Sequence, residues 1–353
     1  MSPVKKSDVV VVGAGPVGQL TALRLADAGV TVTILDKHYR TGAHSYALGL
    51  HSSTLKLLDD LGVLDELLPH GHHINRIGFY EGKTKRCEMN PSEELESDHP
   101  FVLVVPQSVL EGALEKRLRA RRVNVLWNHR LEELLESDLT AEVAKLDRVA
   151  CGYPIAQMEW VVVKKFRTKS SFVVGADGYH SVIRDRLGIE LESVGRPNVF
   201  SVFEFDSPTE PDDEVRVVFD DYSTSVLWPM KDGRCRWSFQ VQDVSQHEPS
   251  RDYLNARIRE RAPWFPEVTG TIHWTSAVVF AQRLASSFGR GRVWLAGDAA
   301  HLTSPVGVQS MNGGLAEGRA LADSISAVLK DEAPLDALEE YSRTHHDRWR
   351  GQK

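Results

Sequence analysis

The apolar pattern opens with four consecutive valines, Val9 to Val12, set between Asp8 and a glycine-rich turn. A short β-branched run without alternation suits a parallel strand covered on both faces. Leu20, Leu23, Leu25 and Ala28 then recur at helical spacing until Gly29, which predicts a helix with a glycine stop. Val30 to Leu35 reads as a second strand, closed by Asp36. The same alternation of strand and helix returns at Phe101 to Val105, is interrupted by Pro106, and continues in a helix from Gln107 with Leu110, Leu114 and Leu118 on one face. A strand over Val123 to Trp127 follows, and the polar stretch Asn90 to His99 predicts a mobile loop.

In the middle of the chain the period changes. Trp160 to Val163 and Ser171 to Ala176 predict strands, the second ending in Asp177-Gly178. From Val199 to Val244 aromatic and β-branched residues alternate with polar ones: Phe203, Phe205, Val215, Val217, Trp237 and Phe239 among them, with Asp232-Gly233 as a hairpin turn. Such alternation predicts an antiparallel sheet with one covered face. The non-alternating pattern resumes at Val293 to Ala296, and a long helix from about Asn312 buries Leu315, Leu321, Ala322 and Ile325. A last helical stretch runs from Leu335 to Trp349.

Composition narrows the classes of function. With 353 residues and 42% hydrophobic content, the chain can bury two cores. A formal charge of −7, with both signs mixed along the sequence, argues against a nucleic-acid surface. Arg117 to Arg122 reads as the basic end of a helix. Cys87, Cys151 and Cys235 are scattered, which suggests neither a disulfide framework nor a zinc site. No apolar run approaches membrane-span length, and the first strand begins too early for a cleavable signal to precede it. The expectation is a cytoplasmic protein that binds neither membrane nor metal and acts as a monomer or homodimer.

The chemistry is carried by three separated motifs. Gly13-Ala14-Gly15-Pro16-Val17-Gly18 has the G-x-G-x-x-G form between a strand and a helix. Its glycines allow the tight turn, close approach of backbone to a pyrophosphate, and close packing of the helix. The helix N-terminus offers free N–H groups to phosphate, and Asp36 stands where an acid can take ribose hydroxyls. The second motif is Gly175-Ala176-Asp177-Gly178, whose carboxylate points into the crevice at a strand end. The third is Gly297-Asp298-Ala299-Ala300-His301, followed by Pro305, Gly307 and Asn312. Alone, Asp177 is a plain turn, Asp298 a cap and His301 a core histidine.

In this order and spacing, from about Val9 to Trp349, the three motifs resemble the single-component (group A) FAD-dependent aromatic hydroxylases, typified by para-hydroxybenzoate hydroxylase. The resemblance implies an α/β fold: a Rossmann-type FAD-binding domain, an inserted, mostly antiparallel substrate sheet and a C-terminal helix. The expected boundaries are 1–75, 101–190 and 282–330 for the FAD domain, 76–100 and 191–281 for the substrate domain, and 331–353 for the last helix. It further implies non-covalent FAD bound by Gly13, Ala14, Gly15, Pro16, Gly18, Asp36, Lys37, Arg40, Gln107, Asp177, Gly178, Gly297 and Asp298. The ring would lie against Pro305, Gly307, Val308, Gln309, Ser310, Met311 and Asn312. NADH or NADPH would be the transient reductant, and O₂ would be delivered through a flavin hydroperoxide to an aromatic or polycyclic small molecule.

Two departures stand out. Arginines usual in the family after the second strand are replaced by His44-Ser45-Tyr46-Ala47, with Arg40 as a possible substitute, and Ser310 replaces a usual glycine. Candidates for catalysis are His51 as general base and Pro305 at the ring, with Tyr222 and His273 behind them. Phe203, Phe205, Trp228 and Pro229 are candidates to line the substrate pocket. Alternatives are a flavin-dependent reductase, a halogenase, for which only Trp228-Pro229-Met230 of the expected element is present, a flavin-binding protein without turnover, and an NAD-dependent dehydrogenase.

Overall fold

The computed structural model describes residues 5–39, 49–94, 96–151 and 157–351. These form a mixed α/β fold with five sheets among the described residues. In the six-stranded sheet Val9–Val12 is central, between Phe172–Gly175 and Val32–Leu35. Val293–Leu295 pairs with the far side of Phe172–Gly175, and Val125–Leu126 with Val32–Leu35, all in parallel. Val9, Val10 and Val11 are fully buried, as an unalternating strand covered on both faces requires. The strand expected over Val123 to Trp127 is only Val125–Leu126.

The helix Pro16–Asp27 crosses the helix Gln309–Leu329, and glycines let them approach closely. A Cβ at Gly318 would lie 2.5 Å from Thr21 Oγ1, and one at Gly314 would lie 2.9 Å from Val17 Cγ2. Gly313 lies beneath the indole of Trp349, with only 2.6 Å between a would-be Cβ and Trp349 Cζ2. Thus the paired glycines, which weaken a helix start in isolation, provide contact surface for two other helices.

The seven-stranded sheet has the order Ile272–Phe280, Asn198–Asp206, Arg234–Val241, Thr224–Pro229, Glu214–Phe219, Arg76–Glu81, Thr84–Met89. All neighbours are antiparallel except Glu214–Phe219 with Arg76–Glu81. Its two faces differ. Phe203 lies opposite Trp237 and Phe205 opposite Cys235, on the face packed beneath the helix Arg251–Arg261. Val202 opposite Ser238, and Trp228 opposite Arg236, lie on the other face. The apolar clusters accordingly separate: one around the six-stranded sheet, one under Arg251–Arg261, and a small third at Ile74, Val104, Val215, Val226 and Met230.

Two elements differ from expectation. Asn90 to His99 contains a helical turn, Pro91–Glu94, and the long helix starts at Gln309, three residues early. Part of a third was missed: the strand expected at Trp160 to Val163 runs over Gln157–Lys169 and pairs antiparallel with Thr140–Cys151, whose mixed charges mask its alternation. Among the described residues no helix is long and apolar enough to cross a membrane.

Candidate functional site

Three parallel strands end side by side, and the motifs sit at their C-terminal ends. Gly13 has φ +100°, a left-handed conformation that favours glycine, and a Cβ there would lie 2.2 Å from the Ala176 carbonyl oxygen. A Cβ at Gly18 would lie 2.0 Å from the Gly13 oxygen. The first and second motifs are therefore locked together by absent side chains. Above Gly15, by contrast, nothing lies within 4 Å of a would-be Cβ. Gly15 caps the helix Pro16–Asp27 without a side-chain hydrogen bond, so its first N–H groups are presented to that open space.

Asp36 accepts the Ala14 N–H at 2.8 Å and the His38 N–H at 2.8 Å, which fixes the fingerprint against the second strand. Oδ1 also faces His38 Nδ1 at 2.8 Å, so Oδ2 is the oxygen that keeps a lone pair for a hydroxyl donor. Asp177 Oδ2 accepts the N–H groups of Val182 at 2.7 Å and Ile183 at 3.2 Å, at the start of the helix Val182–Arg186. Its Oδ1 is buried without a partner, and burial raises its carboxyl above the usual range against those bonds. Asp36, Lys37, Asp177 and Gly178 line a cavity of about 220 Å³ with His38, His129 and His180. Arg40 and residues 44–47 lie outside the described residues.

A second cavity, of about 340 Å³, is lined by Gly15, Pro16, Gln107, Asp298, Pro305, Val308, Ser310 and Met311. It shares Gly15, Ala176 and Gly178 with the first, so the two adjoin at the fingerprint helix. Asp298 stands open to this cavity while protein encloses it, and that enclosure pushes its carboxyl above the usual range against the bond from Ser310. Ser310 Oγ donates to Asp298 Oδ1 at 2.8 Å, which is what serine adds at the position where glycine was expected. Gln107 Nε2 donates to Glu111 at 2.7 Å from the opposite wall.

The turn before the long helix is strained. Gly307 has φ +80° and Val308 φ +51°, the latter unfavourable for a β-branched residue. Two side chains hold it. Asn312 Nδ2 donates to the carbonyls of Val308 and Gly49, each at 2.9 Å, and its Oδ1 accepts the His51 N–H at 2.9 Å. His51 Nε2 lies 2.7 Å from the Gly307 carbonyl, a contact in which only N–H can donate. Burial lowers the His51 pKa despite that bond. The ring proposed as a base thus has its Nε2 committed to backbone, and it lines neither cavity. Gln309 is exposed, and Gly297 and Asn312 are buried behind the wall.

A third pocket separates this turn from the sheet, lined by Phe200, Val202, Val226, Trp228, Arg236, Ser238, Phe280, Pro305, Val306 and Val308. Of the four expected lining residues, only Trp228 faces it. Phe203 and Phe205 are fully buried on the opposite face, and Pro229 shares that face opposite Cys235. Strand side chains alternate, so choosing the bulkiest residues selected the face under the helix. Tyr222 is 92% exposed in a turn, and His273 pairs with Asp206 at 2.6 Å; neither lines these pockets. Arg236, Ser238 and Phe280 were missed, and only the registry of the strands could have revealed them.

These features fit FAD: an uncapped helix N-terminus over an open glycine, an unpartnered buried carboxylate oxygen, and two cavities that adjoin at the fingerprint helix. The fold and this site define a flavin-dependent oxidoreductase. The chain belongs to the FAD binding domain family, which it matches over residues 6–351. It is 27% identical to para-nitrophenol 4-monooxygenase of Pseudomonas sp. (strain WBC-3), over 95% of this chain and 81% of that protein. It is also 27% identical to rifampicin monooxygenase of Streptomyces venezuelae, over 96% of this chain and 68% of that protein. The crystal structure of p-nitrophenol 4-monooxygenase from Pseudomonas putida DLL-E4 superposes with a TM-score of 0.82 at 25% identity, covering 98% of this chain and 86% of that one.

Proposed function

We propose that this FAD-dependent monooxygenase hydroxylates an aromatic substrate held between the sheet and the Pro305–Val308 turn, with NADH or NADPH as reductant. In this reading the six-stranded sheet and its helices are the Rossmann-type half, and the seven-stranded sheet is the inserted substrate domain. The observation that carries it is the continuity of the cavities: about 220 Å³ and 340 Å³, joined at Gly15, with Phe280, Pro305 and Val308 shared by the larger one and the sheet pocket.

Asp36 and Lys37 would hold the adenosine end, the N-terminus of Pro16–Asp27 the pyrophosphate, and Asp298 with Gln107 the ribityl chain. Bound FAD supplies electron transfer and oxygen activation, which no side chain here can provide. The chain's own residues orient and exclude water. Arg236 and Ser238 place a guanidinium and a hydroxyl in the sheet pocket beside Phe200, Val202, Val226 and Trp228. Arg236 is 6% exposed and donates to Glu204 at 2.8 Å, so it is pre-oriented. Such a wall suits a flat ring carrying a phenolate, nitro or carboxylate group. The sheet pocket measures about 20 Å³. That is room for about one water molecule, so a ring enters only if the turn or the Trp228 side chain moves.

The test is anaerobic mixing of the FAD-loaded protein with NADH or NADPH, with and without substituted phenols, followed by oxygen. Bleaching of the flavin and a product heavier by one oxygen atom from O₂ are expected. Flavin that stays oxidised with every phenol and both nicotinamides would instead mark a flavin-binding protein without turnover.

A further inference from the structure

The last helix, Ala337–Gly351, reaches the flavin half from behind. Its Trp349 donates Nε1–H to Glu317 Oε1. The other oxygen of Glu317 accepts the Gly297 N–H at 3.0 Å and faces His301 Nε2 at 2.8 Å. Glu317 and His301 are each 1% exposed. The indole of Trp349 stacks on the His301 ring at 3.9 Å and 22°, and it covers Gly313 in the first turn of Gln309–Leu329. One carboxylate therefore gathers donors from the turn after Val293–Leu295, from the short strand His301–Leu302 and from the last helix.

That arrangement is costly to build and hard to replace. A fully buried carboxylate is tolerated only when donors surround it. Burial pushes the Glu317 carboxyl up, but the histidine, the indole N–H and the Gly297 N–H together hold it below its ordinary value. Gly297, with φ +63°, is the residue that turns the chain so that Asp298 enters the larger cavity. Neither Glu317 nor Trp349 lines that cavity, yet both fix the two backbone segments that do.

We propose that Trp349 and Glu317 are positioning residues for FAD, through which the last helix sets the Gly297–Asp298 turn and the start of Gln309–Leu329. The inference rests on the larger cavity holding the flavin. It predicts that loss of the indole N–H loosens the turn, so that FAD binds more weakly although every cofactor-facing side chain is intact. By thermodynamic reciprocity, FAD must then also stabilise the last helix.

The experiment titrates FAD-free full-length protein with FAD, following quenching of flavin fluorescence, for wild type, Trp349→Phe and Trp264→Phe. The phenyl ring in Trp349→Phe keeps the stacking and loses one hydrogen bond to a charged acceptor, for which about a tenfold rise in Kd is expected. Trp264→Phe loses a comparable indole bond, to the Gly82 carbonyl at 3.2 Å in the sheet half, and its Kd should equal wild type. A Trp349→Phe Kd within twofold of wild type, or an equal loss in both variants, overturns the proposal. Wild type that fails to bind FAD overturns the cavity assignment instead. Should Trp349→Phe not fold, hydrogen exchange on wild type decides. Slower exchange in residues 337–351 on adding FAD supports the coupling, and unchanged exchange there refutes it.

Discussion

Glu111 carries a titration beside the larger of the two adjoining cavities, which it meets through its bond from Gln107. It is 3% exposed, with one oxygen taken by Gln107 and the other buried without a partner. Burial pushes its pKa up to about 7 from 4.5, assisted by the charge of Asp36 and opposed by the Gln107 bond. An acid with a folded pKa above its unfolded one favours the folded state at low pH. That contribution is complete below 4.5 and is lost as pH rises through 7. Glu111→Gln keeps the shape and removes the titration. In urea unfolding of FAD-free protein, the variant should gain on wild type between pH 5 and pH 8, by at most roughly 3 kcal/mol. A pH-independent difference would show that the carboxyl is already ionised at pH 5 and solvated. The i, i+4 spacing of Gln107 and Glu111 is visible in the sequence, but an unpartnered oxygen is a property of packing and is not.

The same substitution has opposite signs in two helices. At Gly314 a new methyl would meet Val17 Cγ2 at 2.9 Å and Gly297 Cα at 3.0 Å, so one of two packed segments must shift. Gly314→Ala should cost about 1–3 kcal/mol. At Gly112, inside the helix Gln107–Ala120, a Cβ meets nothing within 4 Å, and Gly112→Ala should stabilise by roughly 0.5–1 kcal/mol through propensity alone. Thermal or urea unfolding of both variants checks the contrast; equal effects would mean that the helix contact at Gly314 relaxes freely. Elements of this kind mark the limit of legibility. The valine strand, the fingerprint helix and the alternating sheet were readable because each has its own period. Which face of that sheet meets the cavity was not, because period two offers two faces and only the helix Arg251–Arg261, covering Phe203 and Phe205, decides between them. The role of Gly313 and Gly314 was not legible for the same reason: the residues they admit, Trp349 and Val17, are remote in sequence.

At the scale of the molecule, the strands Val9–Val12, Phe172–Gly175 and Val293–Leu295 are neighbours, although most of the chain separates the first from the last. Each delivers one motif, and both cavities that meet at Gly15 are lined by more than one of those segments. An unfolded chain therefore holds no fragment of the site intact, and FAD binds the native state alone. The sheet half begins and ends in the first core, through the strands Arg76–Glu81 and Thr84–Met89 on one side and Asn198–Asp206 to Ile272–Phe280 on the other. Its folding is thus tied to closure of the six-stranded sheet. Free FAD at about a hundred times its Kd should raise the unfolding free energy of the FAD-free protein by about 2.7 kcal/mol. AMP, which on the proposed assignment fills only the smaller cavity, should give less at equal concentration. Tryptophans pack in both cores, Trp237 and Trp264 in one and Trp294 and Trp349 in the other, so amide hydrogen exchange at increasing urea, read over residues 9–35 and 198–241, is what resolves the two halves. Both halves should shift together on adding FAD. A shift for residues 9–35 with residues 198–241 left behind would mean that the halves unfold separately and that the cofactor stabilises only its own.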